Sequence, residues 1–215
     1  MTNILILGAN GRIARIVERR LLAETDAHLT LVLRRSARLT IQDSTRETVV
    51  EGDAGDSELL ARVLPHQDVV YANLNGQMTR LARALVPAMQ FAKVAQLIWV
   101  TGSGLYHETP EPFGSWVEQV VGHASKEDTR RAAAVIEASD LQYTLIRAAF
   151  MTDFPEIDYE LTQKGEVFRG TMVSRTSIAD LIVRIIASPT RFARTSLGIA
   201  QPGTDNDLER IKSMI

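Results

Sequence analysis

The chain has 215 residues, with 24 Lys and Arg against 26 Asp and Glu and a formal net charge of −2. That near-balance argues against a general nucleic-acid or membrane-surface binder. The lack of cysteine removes disulfides, thiolate catalysis and sulfur-ligated metal sites together, and it fits a cytoplasmic protein.

No run of residues is apolar and long enough to span a bilayer. The first strand pattern opens at Asn3, which leaves no room ahead of it for a leader peptide. Asn3 to Leu7 is a short apolar run that stops at Gly8. Beyond Gly8-Ala9-Asn10-Gly11, the residues Ile13, Ile16, Val17 and Leu21 recur at helical spacing, while Arg12, Arg15, Glu18 and Arg19 fall on the outer face. A buried strand therefore feeds a helix through a tight loop. Gly8 can take backbone angles that side chains disfavour, and Gly11 lets a ligand come close to the main chain. The loop ends at a helix N-terminus, where free N–H groups favour a phosphate. The spacing is GxxGxxA, shifted by one residue from the GxGxxG of dinucleotide sites. Its place between a strand and an amphipathic helix makes it a dinucleotide cradle; the alternative is a purely structural turn.

A second strand covers His28 to Leu33, and Arg34-Arg35-Ser36-Ala37-Arg38 follows at once. The end of this strand meets the adenosine ribose in dinucleotide folds, where an acid binds the 2′-hydroxyl and arginine accommodates a 2′-phosphate. No Asp or Glu lies between Leu29 and Gln42, so Arg34, Arg35 and Ser36 favour NADP over NAD. The competing reading is a solvated basic turn. A third strand over Thr48 to Gly52 leads into Asp53-Ala54-Gly55-Asp56, with Asp56 or Ser57 capping the next helix. Asp53 stands at a strand's carboxyl end and is expected near the adenine; the alternative is that Asp53 and Asp56 only cap and turn. A fourth strand, Asp68 to Leu74, ends in Asn75-Gly76. The following helix carries Leu81, Leu85 and Met89, with a kink expected at Pro87.

The fifth strand, Gln96 to Thr101, runs into Gly102-Ser103-Gly104-Leu105-Tyr106-His107-Glu108. This loop gathers hydroxyls, a phenol and an imidazole, and acid–base chemistry is sought there. Phe113 to Val121 is read as a helical turn or two, interrupted at Gly122. Ser125-Lys126-Glu127-Asp128 has the S-x-x-D form of a capping box opening a helix through Ile136. A sixth strand spans Gln142 to Arg147, with Ala148, Ala149 and Phe150 at its carboxyl end. From Thr152 to Thr176 the periodicity is poor, which suits a small substrate-side lobe or lid. Ser177 is the expected cap of a helix ending at Pro189, and Thr195 to Ala200 the expected edge strand. Strands alternating with helices call for one α/β domain over residues 1–215: a Rossmann-type, doubly wound, mainly parallel sheet flanked by helices on both faces.

The chain resembles the atypical short-chain dehydrogenase/reductase proteins of the NAD(P)H-binding, NmrA-like kind. The resemblance lies in Gly8 to Ala14, Glu51 to Asp56, Trp99 to Ser103, Tyr143 to Ala148 and Ser174 to Asp180. It implies that Gly8, Ala9, Asn10, Gly11, Arg12 and Ile13 line the pyrophosphate, and that Arg34 and Arg35 meet the 2′-phosphate. It further implies Asp53 and Ala54 at the adenine, Leu74, Asn75 and Gly76 at the ribose, and Thr101 with Ala148 to Phe150 near the nicotinamide. Catalytic members of the wider family carry a Tyr-x-x-x-Lys pair before the sixth strand. Those slots fall near Ser125 and Thr129 here, and neither residue can serve. Ser103 and Tyr106 are then the candidate hydrogen-bond or proton donors, unless Tyr106 only packs on its loop, and Lys126 is either a group that reaches a ribose hydroxyl or an exposed first-turn residue. His107 and His123 are the other candidate acid–base side chains; the alternative is that the four scattered histidines, without metal spacing, are surface or structural residues.

Three functions follow. The first is an NADP-dependent oxidoreductase acting on a small carbonyl, quinone or flavin-like acceptor. The second is a redox sensor that reports cofactor state to a protein partner without catalysis. A sugar-nucleotide or isomerase activity ranks last, because the C-terminal half leaves little room for a substrate domain. A monomer or homodimer without metal is expected in each case.

Overall fold

The computed structural model describes residues 2–214. The strands are β1 (Asn3–Leu7), β2 (His28–Leu33), β3 (Glu47–Glu51), β4 (Val69–Ala72), β5 (Gln96–Gly102), β6 (Gln142–Ala148), β7 (Phe150–Thr152), β8 (Glu160–Thr162), β9 (Met172–Ser174) and β10 (Thr195–Ala200). The helices are α1 (Arg12–Glu24), α2 (Ser57–Val63), α3 (Met78–Ala92), α4 (Phe113–Val121), α5 (His123–Glu137), α6 (Arg175–Ala187) and α7 (Leu208–Lys212). Eight strands form one sheet in the order β3-β2-β1-β4-β5-β6-β10-β8, parallel except for β8; β7 and β9 pair separately.

The central strands are apolar throughout because both faces are covered. In β1, Ile4 and Ile6 pack toward α1 and α6, while Leu5 and Leu7 pack toward α2, α3 and α5. The fold is therefore a Rossmann-type α/β sandwich. Its strand order reverses between β1 and β4, and the loops leaving those two strands part there to open a crevice.

Several local expectations change. Thr195–Ala200 is an interior strand between β6 and β8; the antiparallel edge is Glu160–Thr162, too short to signal itself in sequence. Ser174, not Ser177, caps α6 by accepting from the Ser177 N–H at 2.9 Å. At α2, Asp56 is the cap and Ser57 already lies in the helix. Pro87 lies inside α3, which continues through it to Ala92.

The capping box at Ser125 does not form. Helix α5 starts two residues earlier, so Ser125 is already helical. Asp128 reaches across to α3 instead, accepting from Met78 N at 2.6 Å and Thr79 N at 3.2 Å. A carboxylate on one helix thus satisfies the free N–H groups of another.

Glu18, expected on the outer face of α1, is fully buried. The 39–47 segment folds over it. Both its oxygens lie 3.0 Å from Arg15 Nη1, and the Glu47 carboxyl sits alongside. Burial pushes the Glu18 pKa from 4.5 up to about 7, with Arg15 opposing the rise.

Candidate functional site

The crevice has two lobes that share Gly11, Asn73, Leu74 and Asn75. One, of about 680 Å³, runs over the ends of β2 and β3. The other, of about 480 Å³, lies over the ends of β5 and β6.

The glycine loop sets the floor. Gly8 has φ +79°, and a Cβ there would stand 2.2 Å from the Asn73 carbonyl oxygen. A Cβ on Gly11 would stand 1.9 Å from Asn73 Nδ2. The close approach that demands glycine is thus already made within the protein, by the loop leaving β4. Helix α1 begins with no side-chain cap and no acid in its first turn. Its free N–H groups and positive dipole end therefore suit the pyrophosphate of a dinucleotide.

In the larger lobe stand Gly8, Asn10, Gly11, Arg34, Arg35, Asp53, Ala54, Leu74, Asn75 and Gly76. Arg38, Gln77 and Arg80 line it as well. Asp53 Oδ1 accepts from Gly55 N at 2.7 Å and from Arg80 Nη2 at 2.9 Å, so its carboxylate is held in place before any ligand arrives. The Arg80 hydrogen bond is the main cause that keeps its pKa low, and Arg34 adds to the effect. Arg80 was missed in the sequence because its partner lies 27 residues away. Ser36 does not line this lobe.

The smaller lobe brings together Gly11, Ile13, Leu74, Asn75, Thr101, Ser103, Lys126, Ala148, Ala149 and Phe150. Thr101 Oγ donates to Ile146 O at 3.1 Å, which ties its hydroxyl to the sheet. Ser103 is buried, and its N–H donates to Ala148 O at 2.7 Å. Lys126 is buried too, and its Nζ donates to the Ser103 carbonyl. Burial, then the Arg130 charge, push the Lys126 pKa down. Ser125 and Thr129, the positions of the absent Tyr and Lys, both line this lobe.

One wall of the smaller lobe comes from α4, through Trp116, Val117, Val120 and Val121. Trp116 lies between Phe113 (5.8 Å between ring centroids) and Phe150 (5.9 Å). Val120 and Val121 remain about half exposed at the mouth. The four α4 residues follow i, i+1, i+4, i+5 spacing, so they share one apolar face of α4, and Trp116 and Val117 pack on the Phe113 cluster as well as lining the lobe.

Three residues expected in the site face elsewhere. Ala9 points into the core on the α1/α6 side. Arg12 is exposed and pairs with Asp153 at 2.8 Å, and Arg175 holds the other Asp153 oxygen at 2.7 Å. Tyr106 lines neither lobe. Its hydroxyl donates to Glu137 Oε1 at 2.7 Å, and its ring lies against the cations of Arg147 and Lys164. Burial, reinforced by the Glu137 carboxylate, pushes its pKa up, away from acid–base work at neutral pH. His107 and His123 also lie outside both lobes, and His123 pairs with Glu118 at 2.9 Å.

The loop between Ser103 and Glu108 is held from beneath. Arg147, fully buried, donates to Glu108 Oε1 at 2.7 Å and to the carbonyls of Thr162 and Ser196. Glu108 in turn accepts from Gly104 N at 3.1 Å and Tyr106 N at 2.7 Å. Burial alone would raise the Glu108 pKa, but Arg147 and the main-chain N–H groups of Glu108 and Tyr106 bring it below the usual value.

A β1–α1 anion cradle at a strand-order reversal, with a basic lobe on one side and an apolar one on the other, defines a dinucleotide-binding Rossmann protein. Residues 8–189 match a family described as NAD(P)H-binding, and the chain belongs to that family. The chain is similar to a short-chain dehydrogenase/reductase from Veillonella parvula DSM 2008, solved in complex with NADP. That likeness has 32% identity over 96% of this chain and 97% of that one, with a TM-score of 0.91. A Rossmann-fold NAD(P)-binding family protein from Shigella flexneri is 39% identical over 96% and 97% of the two chains, with a TM-score of 0.82. An anaerobillin reductase from Escherichia coli O157:H7 shares the fold at 19% identity, 94% and 98% coverage and a TM-score of 0.79. A comparison with curated proteins found no match.

Proposed function

We propose that the protein is an NADPH-dependent oxidoreductase that reduces a small carbonyl, quinone or flavin-like acceptor without a Tyr-x-x-x-Lys pair. The observation that carries this reading is the apolar lobe over β5 and β6, continuous with the arginine-lined lobe and holding Ser103 and Lys126 beside an aromatic wall. Arg34, Arg35 and Arg38 supply the positive charge that a 2′-phosphate needs. The first turn of α1 receives the pyrophosphate, and Thr101 with Ala148 to Phe150 borders the nicotinamide. When bound, NADPH supplies the hydride. Ser103 Oγ donates a hydrogen bond to the acceptor's oxygen, and α4 excludes water from the apolar lobe. Lys126 acts through Ser103: its ammonium fixes the main chain that presents the hydroxyl.

The test is NADPH oxidation against a panel of aldehydes, quinones and flavins. Turnover with at least one class is expected. Ser103→Ala should lower kcat at least about 10-fold, the size of one lost hydrogen bond to developing charge, with little change in NADPH affinity. Tight NADPH binding without turnover across the panel would sink the reading.

The second reading, a redox sensor, is favoured by one observation: among the described residues, neither lobe is lined by a Tyr or a His. It predicts that exchanging NADPH for NADP changes oligomeric state or capture of a protein partner. Sedimentation and pull-downs indifferent to cofactor state would rule it out.

A further inference from the structure

Three guanidiniums of the basic lobe ride on one short turn. Arg34 and Arg35 follow β2, and the 3₁₀ turn Ser36–Arg38 brings Arg38 back toward them. Such a turn is too short to hold itself, and like charges on it repel. Arg35, at its N-terminal end, supplies no side-chain cap. The cap comes from the neighbouring strand. Glu51, the last residue of β3, pairs in register with Leu33. Its Oε2 accepts from Ser36 N at 2.7 Å and also from Ser36 Oγ. Neither Glu51 nor Ser36 lines the lobe. The carboxylate therefore grips the turn from behind while the guanidiniums face the crevice. The two Ser36 donors hold the Glu51 carboxyl below its ordinary pKa, as hydrogen bonds to the charged form do.

We propose that Glu51 is a positioning residue for cofactor selectivity: by clamping Ser36 it orients Arg34, Arg35 and Arg38 toward a 2′-phosphate. The inference rests on the NADPH reading above. It changes the meaning of two residues. Ser36 is an anchor for the turn, not a phosphate ligand. Glu51 is an acid beside an anion site that strengthens anion binding, because its charge is spent on the turn's N–H and hydroxyl.

The experiment is calorimetric titration of wild-type, Glu51→Ala and Glu51→Gln proteins with NADPH and with NADH. Glu51 is exposed, and NADH affinity serves as the check that each variant is folded and its pyrophosphate cradle intact. Glu51→Ala should weaken NADPH about 10-fold, the scale of a lost charge-assisted hydrogen bond, and NADH less than about 2-fold. Glu51→Gln, whose amide oxygen can still accept from Ser36, should recover most of the NADPH preference. Wild-type protein with equal affinity for the two cofactors would overturn the NADPH reading and this assignment with it. A wild-type preference left unchanged, or increased, by Glu51→Ala would overturn the clamp alone. Equal losses for both cofactors would likewise overturn it, by showing a general structural role.

Discussion

Glu18 makes stability depend on pH in a calculable way. Its carboxyl is buried under the 39–47 segment with one guanidinium and a second carboxyl for company. A pKa moved from 4.5 to about 7 corresponds to about 3 kcal/mol. The sign follows from proton counting. Above pH 4.5 the unfolded chain releases this proton while the folded chain keeps it, so folding becomes less favourable as pH rises. The loss grows up to the folded pKa near 7 and is constant beyond it. Glu18→Gln removes the titration but keeps the shape and the neutral form. The variant should match wild-type below pH 4.5 and exceed it by up to about 3 kcal/mol above pH 7. With a urea dependence of about 3 kcal/mol per molar, that is a midpoint about 1 M higher. Urea unfolding followed by circular dichroism at pH 5, 6, 7 and 8 reads it directly. Parallel midpoints for the two proteins across that range would refute the argument.

Other substitutions test the remaining supports. Asp128→Ala strips the cap from α3 and should cost about 1–2 kcal/mol, a fall in Tm of roughly 2–8 °C by calorimetry. Glu108→Ala leaves Arg147 buried without its partner and should destabilise by about 3–5 kcal/mol; adding Arg147→Met should recover most of that in chemical denaturation. Gly8→Ala meets both a left-handed backbone and the Asn73 carbonyl. It should cost the cofactor-free protein about 2–5 kcal/mol in the same assay. Arg34→Ala with Arg35→Ala should weaken NADPH far more than NADH in titrations, and equal losses would refute the 2′-phosphate assignment.

The parts of the fold written locally were legible in the sequence. The run Asn3–Leu7, the glycine turn and the 3.6-residue pattern from Ile13 to Leu21 give β1, the loop and α1 without ambiguity, because a strand buried on both faces must be apolar throughout. What depends on distant partners was not. Asp128 looked like a local cap, yet its carboxylate goes to Met78 and Thr79, 50 and 49 residues away. Tyr106 stood in the right loop for chemistry, but Glu137, 31 residues on, turns its hydroxyl aside. Glu18 fell on a polar helix face and was buried by a loop with no periodicity to announce it. Much of the site was readable from strand ends, since ligands collect there in open α/β sheets. The α4 wall was not, because apolar residues on a helix read as core unless the helix is known to border a cavity.

The contact between Gly8 and Asn73 makes the glycine a condition of the fold itself. Gly8 and Asn73 are the first residues past two adjacent strands, and they must diverge at a separation that excludes a Cβ. The requirement for glycine is thus set where β1 and β4 part, and it holds whether or not a dinucleotide lies in the crevice.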